Sequence, residues 1–300
     1  MFSALSFAAI VLIIGVAVDA AYSSSMGARG DDGWVGETRR VLAEMTGPRE
    51  RTGGEIGADQ IISLGVPAYN HLLDRVSEES SYALTFFADG MPLIITGELS
   101  KVVPFGGVTL EFDDFRSSGY AKGMIAKASG FLPTRWLKWI VCLNRERKLT
   151  AEIASRGEYH RGRIRTNNLR ISLHELVHAY EDKPFASLEN KLRSEFYERR
   201  TSGKKLRRLR GITNLYFYGP KEKFKAGFVY RYIGKDRGVE LMSMGIESLM
   251  WNRFDIWNRD PELTKFLLGM LIFFGRNTNS ADSAVSSFKN PPYLRSDFSG

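Results

Sequence analysis

The chain has 300 residues, 43% of them apolar and 25% charged, with a net charge of +8. That length buries a real core in one or two domains, and the composition excludes collagen-like, coiled-coil, wholly disordered and multi-span membrane classes. A single cysteine, Cys142, leaves no intramolecular disulfide, thiolate zinc finger or iron–sulfur centre, so any metal must be held by His and carboxylate. The positive balance favours solubility and contact with anionic surfaces, phospholipid or nucleic acid, without choosing between them.

Phe2 to Val18 is uncharged and strongly apolar, about 17 residues, the short end of what spans a bilayer as a helix. Three readings compete for residues 1–21. An uncleaved anchor lacks flanking basic residues, since Asp19 comes first and Arg29 is the nearest arginine. A signal peptide cut after Ala20 has small residues at Val18 and Ala20 but no basic n-region. The third reading is a buried N-terminal helix. The first two make the protein membrane-anchored or exported to the cell envelope; the third leaves it cytoplasmic.

Residues 22–58 are rich in Gly, Ser and charge and read as a linker, interrupted by a short helical pattern at Glu37 to Met45. From Tyr82 to Gly97, two apolar runs flank Asp89-Gly90, a dipeptide suited to a type I′ turn, which predicts a hairpin. Val108 to Phe112 and Gly162 to Thr166 alternate as strands do, while RWLKWIVCLNRERK reads equally as helix or buried strand. A small mixed sheet is therefore expected in mid-chain. From Ile171 the period becomes helical. A helix is expected near Pro184 to Arg200, and another in DRGVELMSMGIESLMWNRF with Asp236 near its cap. In a third, Asp260 is N-cap, Pro261 is N1, the apolar face runs Leu263, Phe266, Leu267, Met270, Phe274, and Gly275 is the stop. The tail 276–300 has no period and reads as disordered. These readings give an α+β fold whose folded domain covers 59–275 and whose C-terminal half is mainly helical.

The strongest chemical signal is His174-Glu175-Leu176-Val177-His178. On a helix the two histidines lie one turn apart, so both imidazoles project from one face and suit adjacent vertices of a tetrahedral zinc site. Glu175 beside them suits proton transfer from water to a leaving amine. Only two other histidines exist in the chain, His71 and His160. Composition alone produces this pattern in some chains, and Ser172-x-x-Glu175 also reads as a capping box, in which Glu175 would only satisfy backbone donors. A catalytic zinc site needs a third protein ligand and an open position. Glu240, Glu247, Asp182 and His160 are the candidates. Glu240 and Glu247 share a helical face but are separated by about 10.5 Å along the axis, so one ion can take only one of them directly. The other is left to orient a ligand. Asp182, one turn beyond His178 on the same helix, suits a hydrogen bond to His178 better than the metal.

HELVH with the downstream Glu-x-x-Ser, Glu240 to Ser243, resembles the gluzincin branch of the zincin metallopeptidases. The wider stretch from about 160 to 275, with RGRIRT, YRYIGKDRGVELMSMGIE and DPELTKFLLGML, is similar to zincin-like segments of phage and bacterial head-morphogenesis-type proteins. The resemblance implies a zincin-like fold, Zn2+ held by His174, His178 and Glu240, Glu175 as general base, and hydrolysis of a peptide or protein substrate. Two departures stand out. Met244 replaces the aspartate that orients a ligand histidine in many gluzincins, leaving that role to Glu247 or Asp182. The gap from His178 to Glu240 is also long, and it carries RRTSGKKLRRLR, residues 199–210, seven of whose twelve residues are Lys or Arg. This stretch reads either as a solvated loop or as a site for lipid headgroups or nucleic acid. Tyr216, Tyr218, Tyr230 and Tyr232 form the pool for an oxyanion donor, with core packing as the alternative. The rival function is a catalytically silent protein of zincin-like fold that contacts an anionic partner through 199–210.

Overall fold

The computed structural model describes residues 33–46, 56–86, 90–143, 148–181, 187–201, 206–208, 215–218, 230–232, 240–252 and 256–276. Ahead of the sheet come five helices: α1 Gly33–Thr46, α2 Ala58–Phe86, α3 Gly90–Leu99, α4 Gly119–Ser129 and α5 Thr134–Leu143. Strands β1 Thr150–Ile153, β2 Glu158–His160 and β3 Arg163–Thr166 follow, then α6 Leu169–Glu181 and α7 Ser187–Thr201. Three further strands, β4 Leu206–Arg208, β5 Leu215–Tyr218 and β6 Tyr230–Tyr232, precede α8 Leu241–Trp251, α9 Ile256–Arg259 and α10 Pro261–Gly275. The architecture is α+β, mainly helical, with a small mixed sheet.

The core is organised on α2 and α10, which make the most extensive helix contact among the described residues. Two glycines permit it. A Cβ on Gly65 would stand 1.9 Å from the Lys265 carbonyl oxygen, and one on Gly269 would stand 1.9 Å from that of Ile61. Backbone therefore meets backbone at this crossing, a separation no larger residue allows. Leu263, Phe266, Leu267 and Met270 are buried on α10, and the Asp260 carboxylate accepts from Leu263 N at 3.1 Å, the cap expected from the sequence. The helix runs one residue further than expected, through Gly275, with Arg276 at its end.

Several expectations are corrected. The hairpin around Asp89-Gly90 is instead two helices, the end of α2 and the start of α3. The run after Gly90 is short enough to satisfy either period, and burial of Met91, Ile94, Ile95 and Leu99 at helical spacing decides for helix. The hairpin with two positive φ angles lies at Arg161 (47°) and Gly162 (84°), between β2 and β3. Val108 to Phe112 forms no strand but only an isolated parallel bridge, Phe112 to Leu149. RWLKWIVCL is helix α5. Within 22–58, read as linker, α1 buries Trp34, Val35 and Thr38 and packs on α2, so this part belongs to the folded body. The apolar run 2–18, Asp182 and the tail from 277 lie outside the described residues. Among the described residues no helix is long and apolar enough to cross a membrane.

The first sheet has the order β1-β3-β2, with β1 parallel and β2 antiparallel to β3. Ala151 and Ile164 point to the buried face, against which α4 and α6 pack. Leaving β3, the chain turns directly into α6, so β2 becomes an edge strand beside that helix. The second sheet, β4-β5-β6, is antiparallel and lies wholly in the insert between α7 and α8, where no strand was expected. It carries Tyr216 and Tyr218 on β5 and Tyr230 and Tyr232 on β6.

Candidate metal centre

Helix α6 begins at Leu169, earlier than a Ser172 cap would allow. Asn168 Oδ1 accepts from Ile171 N at 2.9 Å, and the Ser172 hydroxyl, one turn into the helix, donates to the Asn168 carbonyl at 2.9 Å. The capping box is therefore absent, and Glu175 is free of that duty. Apolar residues Leu173, Leu176, Val177 and Ala179 fix the buried side of the helix, and the Tyr180 ring stacks on Trp136 of α5 at 4.0 Å and 2°. The register this anchoring sets turns His174 and His178 together toward α8.

There they meet Glu240, at the N-terminal boundary of α8. His178 Nε2 lies 3.2 Å from His174 Nε2, and Glu240 Oε2 lies 3.0 Å from the first and 3.2 Å from the second. A tetrahedral ion with bonds of about 2.05 Å sets its ligand atoms about 3.3 Å apart, so the three atoms form a triangle of the size of one tetrahedral face. Among the described residues this is the one group of three His, Cys, Asp or Glu able to share an ion. The donor set, two imidazoles and a carboxylate, suits zinc.

The outer nitrogens decide the tautomers. Glu247 Oε2 is 3.0 Å from His174 Nδ1, and Glu181 Oε2 is 3.0 Å from His178 Nδ1. A carboxylate at each Nδ1 calls for a proton there, so that in the neutral ring the Nε2 lone pair faces the other two atoms of the triangle. The carboxylates are themselves held: Arg170 Nε stands 3.2 Å from Glu247, and Arg193 Nη1 pairs with Glu181. Ser243 donates its hydroxyl to Glu240 Oε2 at 2.7 Å, which gives the serine of Glu-x-x-Ser a physical role. The carboxylate against the outer nitrogen of His174 is thus Glu247. Glu181, one residue before the suggested Asp182, serves His178; its position three residues past His178 was the signal for it.

Electrostatics agree with the geometry. Burial by itself lowers the His174 pKa, but hydrogen bonds to Glu240 and Glu247 outweigh it and raise it to about 9. Burial likewise opposes protonation of His178, yet Glu181 and Glu240 raise it well above the usual imidazole value. For Glu240 the sign reverses: burial favours the neutral acid, and the two histidines more than offset it, holding the carboxyl far below its ordinary range. Glu175, only 4% exposed, is raised chiefly by burial, with the histidine charges pulling the other way. Its carboxylate lies against the Gly157 backbone just ahead of β2, so close that a Cβ there would stand 2.4 Å from Glu175 Oε1.

His160 is not part of the cluster. It sits exposed on β2, opposite Arg163, while the remaining histidine, His71, bonds Glu98 at 2.8 Å elsewhere in the core. Cys142 is a free, half-buried thiol on α5. The basic stretch is divided: Arg200 forms a two-point pair with Asp260 at 2.9 and 2.7 Å, and Arg199 pairs with Asp59 and Glu262, so these two charges hold α7 to α2 and α10. Comparison with protein-family models, with curated proteins and with solved structures gives no match.

Proposed function

We propose that the chain is a zinc-dependent peptidase of zincin-like fold, in which His174, His178 and Glu240 hold the metal and Glu175 is the general base. The observation that carries this reading is the 3.0–3.2 Å triangle of Nε2, Nε2 and Oε2 with a carboxylate on each outer nitrogen. Zinc held there supplies Lewis acidity, polarising a scissile carbonyl and lowering the pKa of water. Glu175 takes the proton of the attacking water and returns it to the departing amine nitrogen; its burial favours the protonated carboxyl that this second transfer needs. Glu247 and Glu181 keep the imidazoles in the ligating tautomer through both transfers. β2 pairs only with β3 among the described residues, and its other edge supports binding of an extended peptide by main-chain hydrogen bonds beside Glu175. The apolar run 2–18 supports membrane attachment or export of this activity.

Elemental analysis together with cleavage of an unfolded protein substrate tests the reading. The wild-type chain should carry one zinc and cleave, the Glu175→Gln variant should keep zinc without cleaving, and the His174→Ala/His178→Ala double variant should lose both. Zinc content unchanged in the double variant excludes the site. Zinc retained with no cleavage by the wild type gives the silent, interaction-protein reading instead.

A further inference from the structure

A second feature shares no residue with the metal centre. The end of α1, the residues just ahead of α2, α5, α7 and the end of α10 border an open pocket of about 320 Å³. Its walls are of two kinds. Ile56, Leu188, Phe273 and Phe274 make an apolar body, and Arg135 and Arg276 add two guanidinium groups.

Among the described residues neither arginine forms an ion pair with a carboxylate. Arg135 spends one donor, Nη1, on the Arg276 carbonyl at 3.2 Å, and the Arg276 guanidinium stacks over the Phe273 ring at 4.6 Å. Arg276 Nε is buried and has no hydrogen-bond partner. A charged side chain half-buried beside a like charge, with no carboxylate partner among the described residues, is a position that an anion improves. Burial and the neighbouring charge of Arg135 both make the cationic form of Arg276 harder to hold, so an anion between the two would relieve both. Guanidinium groups are the side chains best matched to the paired oxygens of carboxylates and phosphates.

We propose that this pocket binds a small amphiphile with one anionic head, carboxylate or phosphate ester, bonded by Arg276 and Arg135, and an apolar body laid against Phe273, Phe274, Ile56 and Leu188. The volume lies at the small end of the ~300–1,000 Å³ range of small-molecule sites, which limits the body to a medium-length chain or a single ring. Head and body are both required: the arginines alone leave the apolar walls wet, and an uncharged body leaves the two guanidinium charges without a counter-charge.

Calorimetric titration of the full-length protein with four probes tests this. Octanoate and octyl phosphate carry both features, octanol lacks the head, and inorganic phosphate lacks the body. Binding of octanoate or octyl phosphate at least tenfold tighter than of octanol and phosphate is the expected result, and which of the two binds tighter identifies the head. Arg276→Gln should weaken that binding tenfold or more with zinc content unchanged. If this variant does not fold, Arg135→Gln decides in the same way. Equal affinity for octanol, binding of phosphate alone, or full affinity in the folded arginine variant overturns the proposal.

Discussion

Glu247 Oε2 stands 3.0 Å from His174 Nδ1, while Glu240 Oε2 stands 3.2 Å from Nε2 of the same ring. One imidazole bridges two carboxylates of α8 that lie about two turns apart, a gap too wide for one ion but suited to an ion's ligand and its support. The two glutamates therefore meet opposite nitrogens of one ring although they share a helical face. Glu247→Gln should lower zinc affinity by about 10- to 100-fold, the usual effect of losing an orienting carboxylate, and Glu240→Gln should lower it further. Competition with a chromogenic chelator measures both; equal losses would move the ligand assignment to Glu247.

Zinc binding should also release protons over an unusually wide range. The His174 imidazole, raised to about 9 by its two carboxylates, is largely protonated in the metal-free protein at neutral pH and must be deprotonated to ligate. Affinity should therefore keep rising with pH up to about 9, by about tenfold per pH unit for each proton released. A plateau from pH 7 upward, in titrations across buffers, would show that the imidazoles are already neutral.

Gly157 and Glu175 are in contact across the β2–α6 boundary, so Gly157→Ala should push the carboxylate away from its position without touching a zinc ligand. Cleavage should fall by about tenfold or more, since misplacement of about 1 Å is worth as much as 100-fold. Zinc stoichiometry should stay that of the wild type. Loss of both zinc and cleavage would mean that the loop, not the base, had moved.

Stability should depend sharply on the α2–α10 crossing. Gly269→Ala sets a methyl 1.9 Å from the Ile61 carbonyl, and because the obstacle is backbone no rotamer change relieves it. Overpacking of this kind costs about 1–3 kcal/mol or more, read as the drop in urea midpoint. Gly36→Ala, which meets nothing within 4 Å, should cost little by comparison.

Acid should unfold the chain partly through Glu98. Burial raises this carboxyl, but hydrogen bonds from His71 and Lys101, each at 2.8 Å, overcome that and hold it down to about 2. A carboxylate depressed on folding stabilises above its unfolded pKa and loses that contribution as pH falls through the folded one. The window is thus from about 4.5 down to about 2, with up to about 3 kcal/mol at stake. Glu98→Gln should be less stable at pH 7 and show a flatter decline over that window in denaturant melts.

The sequence by itself determined what depends on local spacing. Residues four apart on a helix share a face whatever surrounds them, so His174, His178 and Glu175 were readable, as were β3 and the Asp260 cap, whose periods and dipeptides are unambiguous. The axial distance between Glu240 and Glu247 already required that they play different parts. Tertiary structure decided the rest. Whether the run after Gly90 is strand or helix depended on the neighbours that bury Ile94 and Ile95, and that Glu240 rather than His160 completes the triangle depended on how α8 crosses α6. Gly157 and the arginines Arg135 and Arg276 carry no pattern of their own. Each acquires its environment only when elements far apart in the chain pack together, because burial and the fields of neighbouring charges are properties of the packed whole.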